Sequence, residues 1–147
     1  MNNKRKTILV VDDSPVMQKM TEKFFRNNHY EVYSALSGQE CLQMTEKYRP
    51  DAILMDVILP DADGRSIAEK LKDDPKTEKT AIIFTTNTVS LKEDKGFESF
   101  EINGVIYRAF AKPLHYPKIL NVVKKEINRV LQGGELSPRI KERKKPV

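Results

Sequence analysis

The chain has 147 residues, with 39% hydrophobic and 32% charged side chains, which is the composition of one ordinary globular domain. Its single cysteine, Cys41, excludes an intramolecular disulfide and favours a reducing, cytoplasmic setting. No apolar run approaches the ~20 residues that cross a bilayer, and the short run after the basic N-terminus does not form a signal peptide.

The net charge of +5 is concentrated at the two ends of the chain. Residues 139–147 carry five Lys or Arg and one Glu, and residues 4–6 add three more basic residues. The body between them is close to neutral, which argues against a nucleic-acid-binding surface on the folded part. We expect a folded domain over residues 1–132 and a basic, disordered tail or linker over 133–147.

Short apolar runs alternate with segments of helical spacing along the whole body of the chain. The runs that predict strands cover 7–11, 30–35, 51–56, 81–86 and 105–110. The segments that predict helices cover 15–28, 38–48, 64–72 and 116–131. This alternation predicts an α/β fold, a doubly wound five-stranded parallel sheet with helices on both faces.

Local punctuation supports these boundaries. Ser14-Pro15 is typical of a helix start, Ser37 with Glu40 forms a capping-box pattern, and Gly133-Gly134 ends the last helical segment. The segment 87–104 has the weakest pattern. Residues 90–100 could form a helix, although Gly96 weakens that prediction.

Acidic, hydroxyl and basic side chains follow the predicted strands where these end. They are Asp12-Asp13, Asp56, Thr85-Thr86 and Lys112-Pro113. The carboxyl ends of parallel strands share one edge of a sheet, where α/β proteins bind ligands. Carboxylates that converge there repel by about 4 kcal/mol per pair at ~4 Å, unless a hard cation such as Mg2+ lies among them. With Lys112 and Thr86 beside them, these groups suit a phosphoryl group carried on an aspartate.

Each of these features has an ordinary structural explanation when taken alone. Asp12-Asp13 could begin a turn, and "LPDADG" at 59–64 consists of turn-forming residues. Thr86 is a common strand residue, and a lone lysine is usually solvated. The joint occurrence of matched groups at successive strand ends is what favours a phosphoryl site.

The chain resembles the receiver domains of two-component response regulators. The resemblance rests on "ILVVDDSP", "LMDVILPDADG", "AIIFTT" and "AKPL", in the order that the family has them, and it covers residues 7–131. It implies the flavodoxin-like strand order 2-1-3-4-5. It also implies a signalling protein rather than an enzyme, one that assists only its own phosphorylation and dephosphorylation.

The resemblance assigns a role to each matched position. Asp56 is the expected phosphoacceptor, and Asp13, Asp56 and the backbone carbonyl of Ile58 are the expected ligands of Mg2+, or of Mn2+. Asp12 is expected to act through a metal-bound water. Lys112 is expected to pair with the phosphoryl group and Pro113 to follow a cis peptide bond. Thr86, rather than Thr85, is the expected switch hydroxyl because it lies 30 residues after Asp56.

The resemblance also implies partners. The expected phosphodonor is a sensor histidine kinase or a histidine phosphotransfer protein, and the face formed by residues 87–112 is expected to bind the downstream protein. Membrane and nucleic acid are not expected as partners. The chain is expected to be a monomer or a weak, phosphorylation-dependent dimer.

Several positions depart from the family pattern. Thr86 and Lys112 are 26 residues apart, a few more than in compact members. The aromatic residue usual three positions before the lysine is replaced by Ala109, with Tyr107 on the same predicted face and Phe110 on the other. Two positions that often tune phosphate lifetime are Ile58 and Thr88, and the apolar Ile58 predicts slow self-dephosphorylation.

Other functions remain open at this stage. The chain could be the receiver part of a longer regulator or a phosphorelay intermediate. Arg139 and Arg143 have the R-x-x-x-R spacing that resembles the start of a cyclic-di-GMP-binding PilZ domain. A phosphatase that uses an aspartyl phosphate is disfavoured, because such enzymes carry a second aspartate where this chain has Ile58. A basic nucleic-acid binder would need clustered Lys or Arg with aromatic residues on a folded face, and the basic tail has no aromatic residue.

Overall fold

The computed structural model describes residues 4–87 and 97–132. In these ranges the strands are β1 (Thr7–Val11), β2 (Glu31–Ala35), β3 (Ala52–Asp56), β4 (Ala81–Thr86), β5 (Phe97–Ile102) and β6 (Val105–Ala111). The helices are α1 (Pro15–Asn27), α2 (Gly38–Tyr48), α3 (Gly64–Asp73) and α4 (Tyr116–Leu131). The tail 133–147, with the arginine pair that it contains, lies outside the described residues.

The strands form one sheet in the order β2-β1-β3-β4-β6-β5. The first five of these are parallel, so the predicted order of the parallel strands is confirmed. The sixth strand, β5, pairs with β6 in the antiparallel sense at the edge of the sheet. The prediction of a five-stranded, wholly parallel sheet is corrected by this one additional strand.

The additional strand arises from a hairpin that the sequence signals clearly. Asn103 and Gly104 join β5 to β6 and have φ values of 51° and 85°. A two-residue loop with positive φ at both positions is the favoured hairpin turn, and Asn-Gly is its commonest sequence. The prediction of a helix over 90–100 is therefore wrong for residues 97–100, which belong to β5. Residues 88–96 lie outside the described residues.

Two hydrophobic layers cover the two faces of the sheet. Alternate residues of β1, β3 and β4, such as Leu9, Ile53 and Phe84, pack with α2 and α3. The residues between them, such as Ile8 and Leu54, pack with α1 and α4. A strand that is buried on both faces has a continuous run of apolar residues, which explains the sequence pattern that predicted these strands.

The helix starts agree with the sequence punctuation. Ser14 caps α1, where its hydroxyl accepts a hydrogen bond from the N–H of Met17 at 3.3 Å. Ser37 caps α2 and accepts from the N–H of Glu40 at 3.1 Å. Among the described helices, none combines the length and apolar character that a membrane-spanning segment needs.

Candidate functional site

Asp56 ends β3 and is almost completely enclosed. All five residues of β3 are buried, and Asp56 is only 4% exposed. The N–H of Ile58 donates to Asp56 Oδ1 at 3.3 Å, and the Lys112 ammonium donates to Asp56 Oδ2 at 2.9 Å. A buried carboxylate is costly unless such partners compensate for the water it loses.

Lys112 joins two carboxylates that lie far apart in the chain. Its Nζ donates to Asp12 Oδ2 at 2.7 Å as well as to Asp56, and all three side chains are buried. The other oxygen of Asp12, Oδ1, accepts from the N–H of Ser14 at 2.8 Å. The ammonium therefore offsets two negative charges that would otherwise repel each other at the end of the sheet.

Burial and charge have opposite effects on the pKa values of Asp56 and Lys112. Burial raises the pKa of Asp56 above its ordinary value, although the hydrogen bond and charge of Lys112 oppose the rise. Burial alone would lower the pKa of Lys112, but its bonds to Asp12 and Asp56 outweigh that effect and raise it. The lysine therefore stays protonated, and the site keeps a cation beside the Asp56 carboxylate.

Asp13 adds a third carboxylate at the solvent side of this pair. Oxygens of Asp12, Asp13 and Asp56 lie within 4.8 Å of one another, and Asp13 is exposed whereas the other two are buried. Oxygen donors of this kind fit a hard cation such as Mg2+, which binds through a few carboxylates and keeps several waters. The donor set therefore fits the predicted metal.

The two threonines of β4 lie at the same edge. Thr85 is opposite Asp56 in the register of β3 and β4, and its carbonyl accepts from the N–H of Val57 at 2.9 Å. Thr86 is 2% exposed, and its carbonyl accepts from the N–H of Lys112 at 2.9 Å. The next peptide bond, between Lys112 and Pro113, is cis. The backbone thus ties Thr86 directly to the residue that carries the buried ammonium.

Gly64 is a residue of this site that the sequence reasoning did not single out. It begins α3, and its N–H donates to the carbonyl of Val57 at 2.6 Å. A Cβ at position 64 would lie 2.4 Å from the backbone oxygen of Asp56. Only glycine permits this approach, which fixes the loop after β3 against the backbone of Asp56. In the sequence, the position of this glycine at the end of the "DADG" turn indicates its structural role.

Asp61 connects the loop after β3 to a different helix. Its carboxylate accepts from the N–H groups of Gly38 and Gln39, at 2.7 and 3.0 Å, in the first turn of α2. These bonds hold the pKa of Asp61 below its ordinary value. The contact spans 22 or 23 residues of sequence, so no local pattern could have revealed it.

The positions that replace the usual aromatic residue are arranged as predicted. Ala109 and Tyr107 share one hydrophobic layer, and Phe110 belongs to the other. The Tyr107 ring is fully buried and meets Phe84 edge to face at 5.8 Å between ring centroids. Its hydroxyl has no hydrogen-bond partner within residues 4–87 and 97–132, and burial raises its pKa.

The family model of the response regulator receiver domain matches residues 8–124, from the first strand to the middle of α4. The chain is a response regulator receiver domain. The resemblance found in the sequence is thus confirmed, and the matched range includes Asp12, Asp13, Asp56, Thr86 and Lys112.

Curated relatives of this receiver domain are response regulators of two kinds. It is 28% identical over 119 residues to the polar-differentiation response regulator DivK of Brucella anthropi, which covers 81% of this chain and 94% of DivK. It is 39% identical over 79 residues to the response regulator PleD of Caulobacter vibrioides, or 54% of this chain. The matched segment spans only 17% of PleD, which is a much longer protein.

Solved structures agree with the receiver fold. A response regulator from Chloroflexus aurantiacus is 28% identical, with a TM-score of 0.70 over 86% of this chain and 100% of that one. The receiver domain of the sensor histidine kinase PA1611 from Pseudomonas aeruginosa is 27% identical, with a TM-score of 0.69 over 85% of this chain and 99% of that one. The PA1611 structure has a magnesium ion coordinated in its active-site cleft.

Proposed function

We propose that this receiver domain accepts a phosphoryl group on Asp56 from a sensor histidine kinase or a histidine phosphotransfer protein, in a Mg2+-dependent reaction. The observation that carries the proposal is the cluster of Asp12, Asp13 and Asp56 around the Lys112 ammonium. The magnesium in the related PA1611 receiver supports the choice of metal. The proposal places the reaction in the cytoplasm.

In the transfer, a carboxylate oxygen of Asp56 forms a bond to phosphorus while the bond from phosphorus to the donor histidine nitrogen breaks. The histidine nitrogen keeps the electron pair of that bond and takes up a proton. Asp13, Asp56 and the carbonyl of Ile58 would hold Mg2+, with Asp12 acting through a bound water. The metal supplies positive charge that offsets the charge of the phosphoryl oxygens. The protein contributes mainly positioning and electrostatic stabilisation.

Lys112 has a second task in this proposal. Its Nζ lies 2.9 Å from Asp56 Oδ2, so a small movement would let it pair with an oxygen of the new phosphoryl group. Ile58 is 64% exposed beside the site, and slow self-dephosphorylation remains a prediction from its apolar side chain.

Thr86 is proposed as the hydroxyl that moves toward the phosphoryl group. That movement would change the face formed by residues 87–112 and its affinity for a downstream protein. A phosphoryl group can shift this equilibrium only through contacts that differ between the two states. Thr85→Ala is the matched control for Thr86→Ala, since both threonines are buried at the end of β4.

Intact-mass spectrometry after incubation with a small-molecule phosphodonor tests the proposal. We expect one added phosphoryl group in the presence of Mg2+, and none in Asp56→Asn or without metal. Thr86→Ala should keep the adduct but lose the phosphorylation-dependent change in partner binding, whereas Thr85→Ala should keep both. An unchanged mass in the wild-type protein with Mg2+ would leave the domain as an interaction module without phosphoryl chemistry.

A second candidate is that the chain works as the receiver part of a longer regulator. The match to 17% of PleD favours it, because the matched segment there is a small part of a much longer protein. Phosphorylation at Asp56 is common to both candidates. They differ in whether the signal passes to a separate protein or to a domain joined to α4. The mass of the protein isolated from its own cells distinguishes the two, because a longer regulator has a larger mass.

A further inference from the structure

A second concave site lies at the end of the sheet opposite Asp56. An open cavity of about 220 Å³ is lined by the turns that lead into β3 and β4 and by the last turns of α4. Ile127 and Val130 form part of its apolar wall. The site is separated from Asp56 by the length of the strands, so it does not belong to the metal cluster.

Three basic side chains line this cavity: Arg49, Lys76 and Lys79. The Arg49 guanidinium is held in place because Nε donates to the carbonyl of Glu46 at 3.0 Å and a terminal nitrogen donates to the carbonyl of Lys76 at 3.4 Å. Lys76 forms an exposed ion pair with Glu46 at 3.6 Å. Lys79 has no ion pair or hydrogen bond with any residue in the described part of the chain. Among the described residues, the lining thus has one hydrogen-bonded cation, Arg49, and one uncommitted cation, Lys79, and both side chains are exposed.

Thr80 brings a hydroxyl group to the same cavity. The residue is 8% exposed, and its N–H donates to the carbonyl of Thr77 at 3.1 Å. Its hydroxyl makes no hydrogen bond to the described residues and is not one of their fully enclosed polar atoms, so it meets solvent at the cavity. A ligand in the cavity would replace that water as the hydrogen-bond partner of the hydroxyl.

The charge balance of the lining is positive. In the described part of the chain, the acidic residue that lines the cavity is Asp51, and its carboxylate already accepts from the N–H of Thr7 at 2.8 Å. Glu46 lies outside the lining and is engaged with Lys76. Three cations face one committed carboxylate, next to an apolar wall. This combination recognises an anion that carries an apolar group.

We propose that this cavity is a binding site for a small organic anion, a carboxylate or phosphate ester with a short apolar body. The charged end would accept from the Thr80 hydroxyl and pair with Arg49 and Lys79, and the apolar end would lie against Ile127 and Val130. The volume is about seven times the ~30 Å³ that a water molecule occupies, which suits a ligand the size of a small aromatic acid. The proposal is independent of phosphorylation at Asp56.

Titration of the 15N-labelled full chain with phenyl phosphate and with benzoate, without added Mg2+, tests the proposal by NMR. We expect saturable shifts of the Arg49, Lys79, Thr80 and Val130 amide signals with at least one of the two anions. Benzyl alcohol, which is neutral, should not produce them. Shifts confined to the Asp56 end of the sheet, or equal shifts with benzyl alcohol, would overturn the proposal.

Two variants and a control make the test specific. Thr80→Val removes the hydroxyl at nearly constant shape, and Lys79→Gln removes the uncommitted cation. Each should raise the dissociation constant at least threefold, whereas Lys23→Gln, an exposed lysine on α1, should leave it unchanged. A dissociation constant that is the same in all four proteins would mean that the anion binds adventitiously to surface charge, and the proposal would be wrong.

Discussion

At the scale of single residues, the site depends on one ammonium shared by two buried carboxylates. Lys112 is 7% exposed, and Asp12 and Asp56 are comparably buried. Removing one partner of a buried ion pair leaves an uncompensated charge and costs far more than breaking an exposed pair. The stability of the domain and the phosphorylation proposed for Asp56 therefore both depend on Lys112.

Lys112→Met should lower the free energy of unfolding by about 3–5 kcal/mol at neutral pH, because Asp12 and Asp56 then repel without a cation between them. Added Mg2+ should recover part of this loss, and more of it than in the wild-type protein. Urea unfolding with and without Mg2+ measures both effects.

Lys76→Met is the matched control for that variant, since it removes a lysine whose ion pair with Glu46 is exposed. Its cost should be about 0–1 kcal/mol, with no response to Mg2+. Similar losses in the two variants would show that the buried bridge does not stabilise the domain.

At the scale of elements, the loop between β3 and α3 determines how Asp56 is presented. Gly64 brings the start of α3 against the Asp56 carbonyl, and Asp61 joins the same loop to the first turn of α2. The loop is therefore attached to the starts of both α2 and α3. These contacts explain how a segment of turn residues keeps a fixed position beside the Asp56 carboxylate.

Gly64→Ala should destabilise the domain by about 1–3 kcal/mol, because the new Cβ would meet backbone that cannot easily move. It should also slow phosphorylation of Asp56, as the loop must shift away from the carboxylate. Urea unfolding and the rate of mass increase with phosphodonor measure the two effects.

Gly38→Ala provides the comparison for this prediction. There the new Cβ would lie 2.9 Å from the flexible end of Ile67, which can rotate away. We expect a smaller loss of stability and an unchanged phosphorylation rate. A Gly64→Ala protein that is as stable and as reactive as Gly38→Ala would contradict the proposed role of the close approach.

The β5–β6 hairpin shows how an element can be misjudged from its own sequence. Residues 97–102 contain two phenylalanines three positions apart, a spacing that puts them on one face of a helix but on opposite faces of a strand. Pairing with β6 decides between them, because the Asn103-Gly104 turn brings Ile102 opposite Val105 and aligns the whole strand.

At the scale of the whole molecule, α4 carries a buried acid whose ionisation affects stability. Glu126 is 3% exposed, and its Oε1 lies 3.8 Å from Arg129 Nε. Neither atom has a hydrogen-bond partner within the described residues. Burial raises the pKa of Glu126 to about 7, although Arg129 and Arg108 oppose the rise. The folded protein therefore binds this proton more tightly than the unfolded chain does.

The sign of the pH dependence follows from that difference. The pKa of Glu126 rises from 4.5 to about 7 on folding, so the contribution of this group to stability is greatest at low pH and falls as the pH increases through this range. The loss from this group is on the order of 3 kcal/mol. In Glu126→Gln the fall between pH 5 and pH 7 should disappear, as measured by urea unfolding across this range. Glu78→Gln replaces an exposed acid and should keep the fall in stability. A fall that persists in Glu126→Gln would mean that another group causes it.

The sequence by itself determined the bounds of most elements and the identity of the residues at the strand ends. Apolar periodicity and capping residues act within a few positions, so they predicted the helices and the parallel strands closely. The resemblance to receiver domains followed from short motifs such as "LMDVILPDADG", and the family match confirms it.

Only the tertiary structure decided the contacts between distant segments. Lys112 reaches Asp12 across 100 residues of sequence, and Asp61 caps a helix that begins 23 residues earlier. The cavity at the opposite end of the sheet combines two turns with the end of α4. Such contacts depend on how the sheet aligns its strands, because strand order and register bring together side chains that no local pattern relates.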